Sequence, residues 1–139
     1  MNIKIKRFDK TFPLPSGEDK AACFDFICRE TVTIEPHQIK PIAQNVAVQV
    51  PDGYALLIFA RSSTAKRKGI MLANSVGVLD PFYCGDKDEA LVLACNITDR
   101  SVTIEAGDKI AQGMIVKSEP IDWEEIDQFK ERGVGGYQH

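Results

Sequence analysis

A single all-β domain, built as a sandwich or barrel, is the fold class that this sequence predicts, and three observations predict it. Short apolar runs, several with period-2 alternation, recur along the chain. Clusters of Gly, Pro, Asn and Asp close them at short intervals, and only one segment near the end carries helical spacing. At 139 residues and 44% hydrophobic, the chain can fill one ordinary core and is short for two.

The first strand is expected at residues 3–7, where apolar and charged side chains alternate from Ile3 to Arg7. The next, at 31–34, stops at Glu35-Pro36, and that at 46–50 alternates cleanly before Pro51-Asp52-Gly53. Residues 54–59 include the run Ala55-Leu56-Leu57-Ile58-Phe59, which reads as buried on both faces, as inside a sandwich or at a subunit contact. Strands follow at 91–95, 102–104 and 110–116, the last two divided by Ala106-Gly107-Asp108. Asp122 is a candidate cap for a helix from Trp123 to about Arg132, with Glu125 at its third position and Ile121 able to staple onto Ile126. The expected domain covers residues 1–131, and 132–139 form a Gly-rich arm whose backbone has little conformational preference.

A net charge of −3 gives no electrostatic reason to bind a nucleic-acid polymer or an anionic membrane, so the expected partner is a small molecule. Cys23, Cys28, Cys84 and Cys95 lack the paired spacing of a zinc site and read as free thiols, which favours the cytoplasm. The start of the chain has no apolar signal core, and the longest apolar stretch, residues 55–60, cannot span a bilayer.

Three segments carry groups suited to chemistry. Arg61-Ser62-Ser63-Thr64-Ala65-Lys66-Arg67-Lys68 places hydroxyls and cations where a polyphosphate could use them, although a solvated basic turn has the same composition. Asn74 to Gly85 brings an amide, a carboxylate and a phenol to what reads as a hairpin or tight turn, and Asp80-Pro81 is also an ordinary turn signal. In the arm, Arg132 could pair with a phosphate and Tyr137 stack on a base; a frayed end is the plain alternative.

In order, Leu14-Pro15 with Ala22-Cys23-Phe24-Asp25-Phe26, Arg61-Ser62-Ser63-Thr64-Ala65, Asn74 through Tyr83, Lys109-Ile110-Ala111-Gln112 and Arg132-Gly133-Val134-Gly135-Gly136-Tyr137 resemble the five motifs of the trimeric dUTPase family. The resemblance runs over essentially the whole chain. It implies a jelly-roll-like distorted β-barrel with one short C-terminal helix, assembled as a homotrimer with active sites at subunit interfaces. It also implies hydrolysis of dUTP to dUMP and pyrophosphate, which limits uracil incorporation into DNA and supplies dUMP for dTMP synthesis.

In that pattern Asp80 holds the water that attacks the α-phosphorus; since a carboxylate is a weak base near neutrality, positioning of the water must contribute much of the effect. The resemblance places Mg2+ on the triphosphate, with Asp25 meeting it through water. Arg61, Ser62, Ser63 and Gln112 would serve the phosphates, and Arg132 would join them as the arm closes. Asn74, Gly77 and Val78 would read uracil and exclude a 5-methyl group by backbone. Tyr83 would pack under deoxyribose and exclude a 2'-hydroxyl, and Tyr137 would cover the base.

The chain departs from the family at Cys23, where Gly is usual, at Phe82, where an acidic residue is commoner, and in the lengthened stretch around Cys84-Gly85-Asp86-Lys87-Asp88-Glu89, expected to enlarge a turn. The arm also ends two residues after Tyr137. Two other readings share the fold: a dCTP deaminase, and a non-catalytic trimeric nucleotide sensor. The deaminase pattern needs a proton-shuttling Glu three residues before Asn96, where this chain has Leu93. Retention of Asp25, Asp80, Tyr83 and Gln112 argues against the sensor.

Overall fold

The computed structural model describes residues 1–129. It is almost wholly β: β1 Ile5–Arg7, β2 Phe24–Asp25, β3 Val32–Ile34, β4 Ile39–Ala43, β5 Val46–Val48, β6 Tyr54–Ala60, β7 Ile70–Leu72, β8 Gly77–Leu79, β9 Leu91–Asn96, β10 Val102–Ile104 and β11 Ala111–Lys117. One short helix, α1 Thr64–Lys68, lies between β6 and β7. Every pairing is antiparallel, in sheets ordered β2-β11-β6-β8 and β4-β9-β7, with two-stranded ribbons β1-β5 and β10-β3.

The core follows from alternation. In β6, Leu56 and Ile58 point inward and are fully buried, while Ala55, Leu57 and Phe59 stay half-buried on the other face. Within one chain, the expected burial of this strand on both faces is complete on one face and partial on the other. In β9, Val92, Ala94 and Asn96 face the core, which also takes Phe26, Ile34, Ile70, Ile104 and Ile110. Asn96 is polar and fully buried, and its amide is satisfied: Nδ2 donates to the Ile34 and Arg100 carbonyls at 2.9 and 2.7 Å, and Oδ1 accepts from Thr98 N–H and its hydroxyl.

The helix expected from Trp123 does not form over residues 121–129. Its apolar stripe has nothing to cover: Trp123 is 90% and Phe129 86% exposed, and an isolated short helix is marginal without packing. The one helix forms instead in the basic run after β6. Gly69 ends it in the left-handed conformation at φ 68°, with its N–H on the Ala65 carbonyl. Strands β2, β4, β7 and β8 also lie outside the sequence expectation, whereas each expected strand forms, β10 with the expected ends and the others shifted by one or two residues. All four cysteines are free thiols, and among the described residues no helix is long and apolar enough to cross a membrane.

Candidate functional site

Two strands bring the first cluster together. β11 pairs with β2 so that Gln112 stands opposite Asp25, and with β6 so that Ala111 stands opposite Ala60. Arg61, one residue past β6, ties back through its N–H to the Ile110 carbonyl at 3.2 Å. Asp25 therefore sits between two cations, with Arg61 Nε at 3.0 Å and Lys109 Nζ at 3.8 Å. Gln112 Nε2 donates to the Ala60 carbonyl at 3.2 Å, holding that side chain against the same strand ends.

Ser62 is exposed and Ser63 half-buried at the start of α1, beside these groups. Thr64 fixes the turn by donating its hydroxyl to the Ile110 carbonyl at 2.7 Å. Lys109 and Thr64 were not among the expected site residues. Lys109 could have been found from its place three residues before Gln112, since a turn entering a strand can return both to one sheet end; Thr64 offered no signal beyond its hydroxyl.

Gly113 explains why β2 lies so close to β11. A Cβ built there would come within 2.7 Å of ring carbons of both Phe24 and Phe26, whose rings meet edge to face at 5.4 Å. Only a hydrogen at this position lets the two aromatics flank Asp25 on the strand that presents it.

The second cluster lies on the opposite flank of β6. Residues 73–76 form a turn, but it joins β7 of one sheet to β8 of another instead of closing a hairpin between paired neighbours. Asn74 and Val78 are exposed, Gly77 is half-buried with Ile58 close beneath it, and Ser75 adopts φ 61°. Ser75 and Arg61 line the same cavity of about 300 Å³, so the turn end of this segment approaches the phosphate-type cluster. Asp80 does not. Its Oδ1 accepts the Phe82 N–H at 2.9 Å in an Asx turn, and Tyr83 donates its phenol to the Glu89 carbonyl at 3.0 Å.

Register measures the separation. Leu79 pairs with Leu56, which places Asp80 level with Ala55, while Gln112 and Asp25 are level with Phe59. Four residues along a strand and three strand spacings across the sheet are roughly 13 and 14 Å, so Asp80 and Asp25 stand on the order of 20 Å apart within one chain. A single chain cannot put both on one phosphate. Arg132 and Tyr137, with the arm expected at 132–139, lie outside the described residues.

The first cluster sets two cations, Arg61 and Lys109, against the single carboxylate of Asp25. Beside Lys109, Asp108 is paired with Lys68 Nζ at 2.8 Å; burial pushes the Asp108 carboxyl up, but hydrogen bonds from Lys68 and the Glu105 N–H and the Lys68 charge bring it below its ordinary range. Among the described residues no three His, Cys, Asp or Glu side chains converge as a resident metal would require. Asp25 meets cations here, Arg61 and Lys109.

A family model described as dUTPase matches residues 10–139. The chain is 34% identical over 138 residues to the SPbeta prophage-derived deoxyuridine 5'-triphosphate nucleotidohydrolase of Bacillus subtilis, spanning 99% of this chain and 96% of that protein. It is 31% identical over 140 residues to the deoxyuridine 5'-triphosphate nucleotidohydrolase of Helicobacter pylori, spanning 99% and 94%. The crystal structure of dUTPase from Streptococcus mutans superposes with a TM-score of 0.78 at 29% identity, covering 86% of this chain and 98% of that one.

Proposed function

This chain belongs to the dUTPase family, and we propose that it hydrolyses dUTP to dUMP and pyrophosphate at sites assembled between three copies of itself. The observation that carries the reading is a division of groups: Arg61 and Lys109 converge on Asp25 at one end of a sheet, while Asp80 stands apart on its far flank. A second copy that brings its Asp80 turn to the first copy's Arg61 cluster completes a site that neither possesses alone.

The surface supports such an assembly. On the outer face of the β4-β9-β7 sheet, Ile39, Met71, Leu91 and Leu93 are all exposed, and register sets Met71 and Ile39 on either side of Cys95. An apolar patch of this kind marks a contact surface.

In the assembled site the substrate is dUTP carrying Mg2+ on its triphosphate. Arg61, Ser62, Ser63 and Gln112 hold phosphate oxygens, and Asp25 would meet the water shell of such an ion. Asp80, with Oδ1 fixed by the Phe82 N–H, holds a water and accepts its proton as the oxygen attacks the α-phosphorus in line. The bond from that phosphorus to the bridging oxygen breaks, and pyrophosphate leaves with Arg61 facing its charge; a magnesium ion on the triphosphate would supply further neutralisation there. Asn74 and the backbone at Gly77 and Val78 read the uracil edge, Tyr83 packs beneath the sugar, and Arg132 and Tyr137 close over the nucleotide.

A nucleotide panel tests this. Pyrophosphate release is expected from dUTP and Mg2+, with dTTP, dCTP and UTP slower by at least about a hundredfold. Equal turnover of dTTP would contradict the pocket, and ammonia from dCTP would contradict the reaction.

A further inference from the structure

Tyr83 is followed by the lengthened loop Cys84-Gly85-Asp86-Lys87-Asp88, which folds on itself: Asp88 Oδ2 accepts the Gly85 N–H at 2.7 Å and Asp88 N–H returns to the Gly85 carbonyl at 3.0 Å. The loop re-enters the core at Glu89, which is 8% exposed. Arg29 grips the Glu89 carboxylate with two parallel bonds, Nε to Oε1 at 2.8 Å and Nη2 to Oε2 at 2.9 Å. Oε1 also accepts the Asn45 N–H at 2.8 Å, and Asn45, buried at φ 67°, binds the Asp9 backbone N–H and carbonyl through its amide. The backbone carbonyl of Glu89 is the acceptor for the Tyr83 phenol.

We propose that the Arg29–Glu89 pair is a positioning clamp that fixes the Tyr83 ring and thereby sets the discrimination between deoxyribose and ribose. The inference rests on the reading of Tyr83 as the residue beneath the sugar. A buried carboxylate is tolerated when a bidentate guanidinium and a backbone N–H satisfy it, and here both do. Without Arg29 the carboxylate is left buried without its cation and must move toward water. That movement shifts the backbone that carries the Glu89 carbonyl, and the phenol loses its fixed acceptor. The ring then has room to yield to a 2'-hydroxyl. Asp80 is held by a separate bond, from the Phe82 N–H, so the chemical step on dUTP is left in place. The pair therefore acts on selectivity, through Tyr83, and touches no substrate itself.

The test compares kcat/KM for dUTP and UTP in the full-length protein and in Arg29→Met, Arg29→Lys, Glu89→Gln, Tyr83→Ala and Ile104→Val. Arg29→Met is expected to lower the dUTP-to-UTP ratio about tenfold, chiefly by lowering KM for UTP, while kcat for dUTP stays within about threefold. Arg29→Lys should recover part of the ratio. Glu89→Gln, which keeps the side chain's shape, carries the test if Arg29→Met does not fold. Ile104→Val shortens a fully buried core side chain and should leave the ratio unchanged; a ratio lowered there as far as in Arg29→Met would overturn the clamp in favour of general destabilisation. A wild-type ratio in the Arg29 and Glu89 variants, with a lowered ratio in Tyr83→Ala, would overturn the clamp alone. An unchanged ratio in Tyr83→Ala would overturn the sugar reading and the clamp with it.

Discussion

Asp80 is held at one carboxylate oxygen by the Phe82 N–H, and an amide could keep that bond while removing the charge. Asp80→Asn is therefore expected to retain the turn and the thermal midpoint while pyrophosphate release falls by about 10² to 10⁴, the usual span for a lost general base. A matching loss of midpoint in a melting curve would instead make Asp80 a structural residue. The cysteines differ as sharply. Burial pushes the Cys28 thiol up to about 11, its hydrogen bond from Gln44 only partly opposing this, whereas Cys84 is exposed. Alkylation at neutral pH should mark Cys84 first and Cys28 last by mass spectrometry. Because the folded Cys28 value lies above the ordinary 9.0, the stability it contributes is whole below that value and is lost as pH rises toward about 11; Cys28→Ala should remove this part of the alkaline slope. At this scale the order along the chain singled out Asp25, Arg61 and Gln112, which the fold brings together, and Lys109 stands inside the same motif as Gln112. The Arg29–Glu89 pair was not legible, because an ion pair between residues 60 positions apart leaves no local pattern.

The strand pair β2 and β11 presents Asp25, and Gly113 sets how closely the two can lie. Gly113→Ala must displace two packed rings, which is expected to cost about 1–3 kcal/mol in denaturant unfolding and to weaken catalysis by shifting Asp25 from Arg61. A variant with full stability and activity would show that the aromatics move freely. Alternation and turn residues made seven of the strands visible in the sequence, yet β2, β4, β7 and β8 were not: β4 carries Pro41 in its middle, and β2, β7 and β8 are too short to establish a period without the clear turn signals that bounded the others. Those short strands are the ones that carry Asp25 and lead into Asp80. The helical stripe at Trp123, Ile126 and Phe129 was read correctly as apolar but wrongly as sufficient; periodicity specifies a face, and a face without a partner does not hold a helix.

For the whole molecule, antiparallel strands around one core were foreseeable from composition and pattern, but the sheet order β2-β11-β6-β8 was not, because it joins segments far apart in sequence. That order keeps Asp80 and Asp25 on opposite flanks of β6, and it turns a question of chemistry into one of assembly. The apolar face of β4, β9 and β7 is exposed in the single chain, as the proposed assembly requires. The most direct measurement mixes two variants, Asp25→Asn and Asp80→Asn, each expected to be inactive alone, after unfolding and joint refolding in equal amounts. Sites built from the Asp25 of one copy and the Asp80 of another should recover about a quarter of the wild-type rate of dUTP hydrolysis, the fraction in which both contributing subunits carry the intact residue. No recovery from a mixture that has refolded to the wild-type assembled mass would contradict a site shared between subunits.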